Sequence, residues 1–158
     1  MRFVDELPTP VGPLTVVTGP GGLLAVRFAS AAEPSEGAAP SGHVEIRARL
    51  AAYFEGDLQA IETIAVAPAG TAFQLQVWHA LREIRAGATW SYSQLAARIG
   101  RPAAIRAVGA ANGVNPIPIV LPCHRVIGSN GRLVGYGGGL ERKQWLLAHE
   151  GLATPRLL

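Results

Sequence analysis

The stretch "SYSQLAARIGRPAAIRAVGAANG", residues 91–113, has the pattern of two short helices joined by a tight turn. Ser91 and Gln94 have the spacing of a capping box, and Gly100 is a typical residue to end the first helix. The second helix is predicted to begin with Pro102 in its first turn. Two such helices around a "GRP" turn form a candidate helix-turn-helix.

The outer face of the second helix is unusual because it offers almost no hydrogen-bonding groups. At about 100° per residue, one side carries Ala103, Arg106, Ala107 and Ala110. The opposite side is predicted to face inward and carries Ala104, Ile105, Val108 and Asn112. Two interpretations remain open: the alanines pack tightly against a neighbouring element, or they approach a nucleic-acid minor groove while Arg106 enters the duplex.

The first part of the chain has the pattern of an antiparallel sheet covered by a helix. The runs "GPLTVVT" and "LLAVRFA" are joined by "GPGG", which predicts a hairpin. Residues 30–43 are small, polar and interrupted by proline, so we expect a loop. The following segment, "VEIRARLAAYFEGD", predicts a helix that buries Ile46, Leu50 and Phe54.

A second loop, "APAG" at 67–70, marks the predicted boundary between an N-terminal domain, 1–70, and a C-terminal domain, 71–158. The second domain opens with "TAFQLQVWHALREI", in which Thr71 and Gln74 again have capping-box spacing. Apolar residues at helical spacing follow, so this segment is predicted to be a core helix.

Composition indicates a globular protein with two electrically different parts. The chain has 158 residues, of which 49% are hydrophobic and 16% charged. No apolar run is long enough to span a membrane, and we expect a soluble, cytoplasmic protein. Residues 1–70 carry a net charge of −4, whereas residues 71–158 carry +7 with nine Arg and one Lys. An arginine-rich half suggests phosphate contacts, although a solvated basic surface is the alternative.

The only cysteine lies in "NPIPIVLPCHRVIG", residues 115–128. One thiol cannot form an internal disulfide or complete a Cys-rich zinc site, and we expect no bound metal. A lone cysteine is often an inert buried residue, but His124 and Arg125 follow Cys123 directly and can favour a thiolate. Neighbours in an extended strand point to opposite faces, so Cys123 and His124 can cooperate only at a bend, at a helix start or through water.

Several blocks together carry a family resemblance: "FQLQVWHAL", "SYSQLA", "RAVGAAN", "NPIPIVLPCHRVIG" and "GYGGGLERKQWLLAHEG". They resemble the O6-alkylguanine-DNA alkyltransferase family, over about residues 71–151. "TPVGPL" and "AYFEGDL" in the N-terminal half resemble the family's variable domain more loosely. The resemblance implies an α+β fold, with a small ribonuclease-H-like antiparallel sheet and helix followed by a mostly helical winged helix-turn-helix domain.

The resemblance also implies an activity: a single-turnover DNA repair reaction that moves a methyl or other alkyl group from O6 of guanine, and from O4 of thymine, onto Cys123. His124 would take the thiol proton through a water, and Glu150 would orient the histidine. Tyr92 would assist the leaving guanine and turn the target phosphate, and Asn115 would tie the recognition helix to the active-site loop. A cysteine alkylated at sulfur is a stable thioether, so each molecule would act once.

The same resemblance implies a double-stranded DNA partner containing O6-alkylguanine, no cofactor, and a monomeric protein for which cooperative binding is an open question. Arg106 would fill the space left by an extruded base. The implied DNA-binding residues are Tyr92, Ser93, Arg101, Arg106, Ala107, Ala110 and Ser129. The implied substrate pocket consists of Val126, Tyr136, Gly137 and Gly138.

Three other functions compete with this one. An alkyltransferase-like protein would bind damaged bases without repairing them, but such proteins lack the cysteine that stands here at Cys123. A winged-helix regulator would read DNA sequence, which the alanine-rich outer face disfavours. A cysteine hydrolase would need a cleft for a peptide or an ester, and the sequence carries no sign of one.

Overall fold

The computed structural model describes residues 1–131 and 135–152, and the chain divides into two compact units. The first unit comprises residues 1–69 together with 116–120, and the second comprises 70–115 with 121–158. Residues 116–120 therefore belong to the first unit, whereas the boundary predicted from the sequence at residues 67–70 places them in the second domain. A backbone hydrogen bond from Val26 to the carbonyl of Pro116, 2.9 Å long, ties this segment to the sheet.

The first unit is built on a three-stranded antiparallel meander in the order β1-β2-β3. Its strands are β1 (Phe3–Leu7), β2 (Leu14–Gly19) and β3 (Gly22–Arg27). The hairpin predicted at "GPGG" is present between β2 and β3. Gly22 has a φ of +123°, and a Cβ there would lie 2.3 Å from the carbonyl oxygen of Ala65, so this turn requires glycine.

Helix α1 (Ser41–Phe54) packs on this sheet and is followed by a 3₁₀ helix, Leu58–Ile61. The predicted inward residues Ile46 and Leu50 are buried, but the third is Tyr53 and not Phe54. Positions 46, 50 and 53 follow the i, i+4, i+7 stripe of one helical face, whereas Phe54 lies beside that stripe. Phe54 packs edge-on against the Tyr53 ring, with the ring centroids 5.1 Å apart.

The second unit begins with α2 (Ala72–Leu81) and continues through α3 (Tyr92–Arg98) and α4 (Ile105–Gly113). Both predicted capping boxes are present: the side chains of Thr71 and Ser91 accept hydrogen bonds from the backbone of Gln74 and Gln94, whose own side chains bond back. These reciprocal bonds satisfy amide groups that a helix start leaves without partners.

Helix α4 begins later than the sequence predicts. Its first residue is Ile105 and its N-cap is Ala104, so Pro102 lies in the preceding turn and not in the first helical turn. A hydrogen bond from the backbone of Ala104 to the carbonyl of Arg101 closes that turn and delays the helix. Ile105 is 42% exposed, which contradicts its predicted inward position, because it lies at the edge of the stripe formed by the buried residues Val108, Ala111 and Asn112.

Three further elements complete the second unit. Strand β4 (Trp90–Ser91) pairs in parallel with β5 (Val126–Ile127), and a 3₁₀ turn, Cys123–Arg125, leads directly into β5. Helix α5 (Leu140–His149) follows. Within residues 1–131 and 135–152, none of the helices has the length and apolar character needed to cross a bilayer.

Candidate active site

Cys123 and His124 lie on a turn and not on an extended strand. The backbone amide of Cys123 donates to the carbonyl of Leu121 (2.7 Å), and that of Arg125 donates to the carbonyl of Pro122 (3.0 Å). In a 3₁₀ turn successive side chains are separated by about 120° instead of pointing to opposite faces. The bend required for the two residues to cooperate is therefore present.

His124, Arg125 and Glu150 form a buried cluster. Nε2 of His124 lies 2.8 Å from Oε2 of Glu150, and Arg125 donates to both carboxylate oxygens from Nε and Nη2, each at 2.8 Å. Nη1 of Arg125 also donates to the carbonyl of Ile84 at 2.7 Å. This paired geometry anchors the residue after α5 to the turn that carries the cysteine.

The protonation states in this cluster follow from burial and charge. Burial alone would raise the pKa of Glu150, but His124 and the hydrogen bonds from Arg125 outweigh it, and the pKa lies well below its usual range. Burial lowers the pKa of His124 below 6.5, although Glu150 opposes that shift. An ionised carboxylate only accepts hydrogen bonds, so Nε2 of the neutral imidazole carries the proton and Nδ1 carries the lone pair.

Nδ1 of His124 is buried and has no hydrogen-bond partner in the part of the chain that the structure describes. The resemblance implies a proton transfer from the thiol through a water, and such a transfer needs an accepting nitrogen that is not already engaged. The tautomer that Glu150 selects leaves Nδ1 as that nitrogen.

Cys123 is 5% exposed, and burial raises the pKa of its thiol. Several neighbours act in the opposite direction, among them hydrogen bonds from the side chains of Asn115 and Tyr136 and the charge of Lys143. The thiol is therefore protonated at neutral pH and needs a base to become nucleophilic. Asn115 also donates from Nδ2 to the carbonyl of Leu121 at 2.7 Å, which joins the end of α4 to the segment leading to Cys123.

Lys143 is a component of this site that the sequence reasoning missed. It is fully buried on α5, and its Nζ donates to the carbonyls of Val126 (2.6 Å) and Gly135 (3.3 Å). Burial lowers its pKa from 10.5 to about 8, while the charge of Cys123 acts to raise it. The one feature of the sequence that could have drawn attention to Lys143 is composition, since it is the only lysine among the 14 Lys and Arg residues.

Tyr92 begins α3 and lies close enough to Cys123 for the charge of a thiolate there to affect the ionisation of the tyrosine. Burial raises the pKa of Tyr92, the charge of Cys123 raises it further, and a hydrogen bond with the side chain of Asn112 lowers it. The structure thus brings the implied catalytic residues Tyr92, Asn115 and Cys123 together with Asn112, which the sequence reasoning had placed only on an inward face.

The implied DNA-binding residues other than Tyr92 are all exposed. They are Ser93, Arg101, Arg106, Ala107, Ala110 and Ser129. Ala107 and Ala110 therefore do not pack against a neighbouring element of the described chain, which removes one of the two interpretations of the alanine face. The guanidinium of Arg101 lies over the Phe73 ring, 5.7 Å from its centroid.

The implied pocket residues differ in how closely they approach the thiol. Tyr136 lies close enough to Cys123 to lower the pKa of the thiol, and Val126 is buried two residues beyond His124. Gly137 is exposed, and a Cβ there would lie 3.8 Å from the carbonyl of Gly113, so the loop passes near the end of α4. The carbonyl of Gly138 accepts from Arg142 (3.0 Å), which fixes the loop at the start of α5.

Fold and site together define a class, an α+β protein with a helix-turn-helix and a buried site of cysteine, histidine and glutamate. The family model described as "6-O-methylguanine DNA methyltransferase, DNA binding domain" matches residues 72–152, more than half of the chain. The chain belongs to this family.

Named relatives agree with this assignment. A methylated-DNA–protein-cysteine methyltransferase of Salmonella typhimurium is 62% identical over 103 residues, which are 65% of this chain and 60% of that protein. The match thus spans about 60% of the length of that curated relative. A protein of the same name from Methanosarcina acetivorans is 44% identical over 150 residues, 90% of this chain and 94% of its own.

Solved structures show the same fold over nearly the whole chain. OGT of Mycobacterium tuberculosis, crystallised in complex with DNA, superposes with a TM-score of 0.79 at 42% identity and covers 93% of this chain and 92% of its own. The O6-methylguanine methyltransferase of the same organism gives a TM-score of 0.78 at 40% identity, covering 95% of this chain and 93% of its own.

Proposed function

We propose that this protein repairs duplex DNA by transferring a methyl or other alkyl group from O6 of guanine, and from O4 of thymine, to Sγ of Cys123. The observation that carries the proposal is the 3₁₀ turn that places Cys123 and His124 in succession, with Nε2 of His124 lying 2.8 Å from Oε2 of Glu150. This leaves Nδ1 of His124 to accept the thiol proton. The relatives named above bear the same activity in their names. The proposal implies that the protein acts in the cytoplasm, where it meets its damaged DNA.

The reaction is a displacement at saturated carbon. Sγ forms a bond to the alkyl carbon while the bond from that carbon to O6 breaks and its electron pair passes into the guanine ring. The thiol proton passes through a water to Nδ1 of His124, and the resulting imidazolium is stabilised by Glu150. Arg125 holds the carboxylate in place with two hydrogen bonds.

Charge near the sulfur assists this step. Burial raises the pKa of Cys123, so the thiolate must be stabilised during attack. Hydrogen bonds from Asn115 and Tyr136 and the positive charge of Lys143 all favour the thiolate. In a buried site such preorganised groups act more strongly than they would in water.

DNA contact is proposed to occur through the exposed outer face of α4. Ala107 and Ala110 are small enough to permit close approach to a minor groove, and Arg106 is the cation on this face that can occupy the space of an extruded base. Ser93 and Arg101 at the helix-turn-helix and Ser129 beyond the cysteine turn would contact the backbone.

Guanine leaves as an anion unless it receives hydrogen bonds or a proton. Tyr92, which interacts with both Cys123 and Asn112, is the proposed donor. Val126, Tyr136, Gly137 and Gly138 are the proposed pocket, with the glycines leaving room for the alkyl group.

The proposal is tested with duplex DNA that contains O6-methylguanine labelled in the methyl group. We expect one label per protein molecule, located in the peptide that contains Cys123, and none on the matched Cys123→Ser variant. Label on another peptide, label on the serine variant, or repeated turnover by one molecule would contradict the proposal.

A further inference from the structure

Asn112 is a buried polar residue to which neither the family resemblance nor the mechanism above gives a role. Asn112 is 6% exposed, and its Oδ1 has no hydrogen-bond partner within residues 1–131 and 135–152. Buried polar atoms almost always have partners because an unmade hydrogen bond destabilises the folded state. A leucine or methionine would fill this helical position without that penalty, so stability alone does not account for an asparagine.

The ring of Tyr92 lies along the face of α4 that carries Asn112. A Cβ added to Gly109 would lie 3.7 Å from Cδ1 and 3.9 Å from Cε1 of Tyr92, so the ring packs directly over that glycine. Residues 109 and 112 are three apart and therefore neighbours on one helical face. Asn112 is thus placed to meet the far end of the tyrosine, where its side chain hydrogen-bonds.

The direction of this contact follows from which amide atom of Asn112 is unpartnered. Oδ1 of Asn112 has no hydrogen-bond partner among residues 1–131 and 135–152, so its amide N–H is the group that meets the tyrosine oxygen. An N–H only donates, and a donor at the phenol oxygen favours the phenolate, in agreement with the lowering of the Tyr92 pKa by Asn112. Asn112 therefore engages a lone pair of the tyrosine oxygen and does not accept the tyrosine proton.

We propose that Asn112 is a positioning residue that directs the Tyr92 hydroxyl to donate its proton to the guanine leaving group. This inference rests on the proposed function. As the bond from carbon to O6 breaks, the Tyr92 proton moves to a ring nitrogen of guanine, and the Asn112 N–H stabilises the phenolate that remains. The thiol proton held by His124 is then released to solvent, and Tyr92 takes a proton from solvent, which closes the balance.

The test is a double-mutant cycle on the single-turnover rate of methyl transfer, using Asn112→Leu, Tyr92→Phe and the double variant. Loss of one hydrogen bond in the transition state predicts a roughly tenfold slower reaction for Asn112→Leu in the wild-type background. In the Tyr92→Phe background the same change should have no effect, because no hydroxyl remains to be positioned. An equal loss in both backgrounds, or no loss in either, would overturn the inference.

Asn112→Asp supplies a second variant that keeps the size of the side chain. Its ionised carboxylate can only accept, so it would draw the Tyr92 proton away from the substrate, and we expect a rate at least as slow as that of Asn112→Leu. A wild-type rate for Asn112→Asp would equally count against the inference. Failure of wild-type protein to acquire a methyl group on Cys123 would reject the proposed function itself, so the two failures are distinguishable.

Discussion

Replacing Glu150 by glutamine should destabilise the protein strongly, although the two side chains have nearly the same shape. The Glu150 side chain is fully buried and accepts three hydrogen bonds of 2.8 Å, one from His124 and two from Arg125. Glutamine keeps one acceptor oxygen but places an NH₂ group against donors and leaves the Arg125 charge without its counterion. Removing one partner of a buried ion pair costs about 3–5 kcal/mol of the free energy of unfolding.

Glu83 provides a matched control because it pairs with an arginine on the surface. Its carboxylate lies 2.6 Å from Nη2 of Arg98, but its side chain is 44% exposed. Exposed pairs contribute about 0–1 kcal/mol, so Glu83→Gln should be nearly neutral. Equilibrium unfolding in guanidinium chloride, followed by circular dichroism, measures both variants. A Glu150→Gln variant whose unfolding free energy lies within about 1 kcal/mol of the Glu83→Gln variant would refute the reasoning.

The pH dependence of this difference gives an independent check. The folded protein holds the pKa of Glu150 well below the ordinary value of about 4.5. A carboxyl with a depressed folded pKa stabilises the protein above its unfolded pKa and loses that contribution as the pH falls toward the folded value. The gap between wild type and Glu150→Gln should therefore be full above about pH 5 and shrink in more acidic solution.

Two further predictions concern charge. Burial lowers the pKa of Lys143 from 10.5 to about 8, so between these pH values the folded state binds fewer protons than the unfolded state. The unfolding free energy of wild type should therefore rise by about 3 kcal/mol relative to that of Lys143→Met as the pH increases through this window. A constant difference across pH 7–10.5 would contradict this. Arg106→Ala should weaken duplex binding and repair several-fold and reduce the salt dependence of binding, while sparing the reaction with free O6-benzylguanine, which needs no base extrusion; equal loss on both substrates would assign Arg106 to the fold instead.

Local patterns in the sequence predicted the elements whose geometry depends on near neighbours. Both capping boxes form at Thr71 and Ser91 as their spacing indicates, because the paired residues lie within one helical turn. The hairpin at "GPGG" forms because glycine can adopt the required backbone angles. The late start of α4 and the burial of Tyr53 in place of Phe54 were missed because each depends on how a turn or a helix face meets the rest of its unit.

The same distinction applies to the candidate site. The motif around Cys123 indicated the proposed nucleophile and the family, since a thiol followed directly by histidine places a nucleophile and a base in adjacent residues. The contribution of Lys143, the pairing of Arg125 with Glu150 and the contribution of Asn112 became visible only in the folded chain. Their roles depend on burial and on partners 17, 25 and 20 positions away in sequence, such as Val126, Glu150 and Tyr92. The strength of an electrostatic interaction depends on the surrounding dielectric, and the choice of hydrogen-bond partner depends on distance in space; no local pattern of residues encodes either.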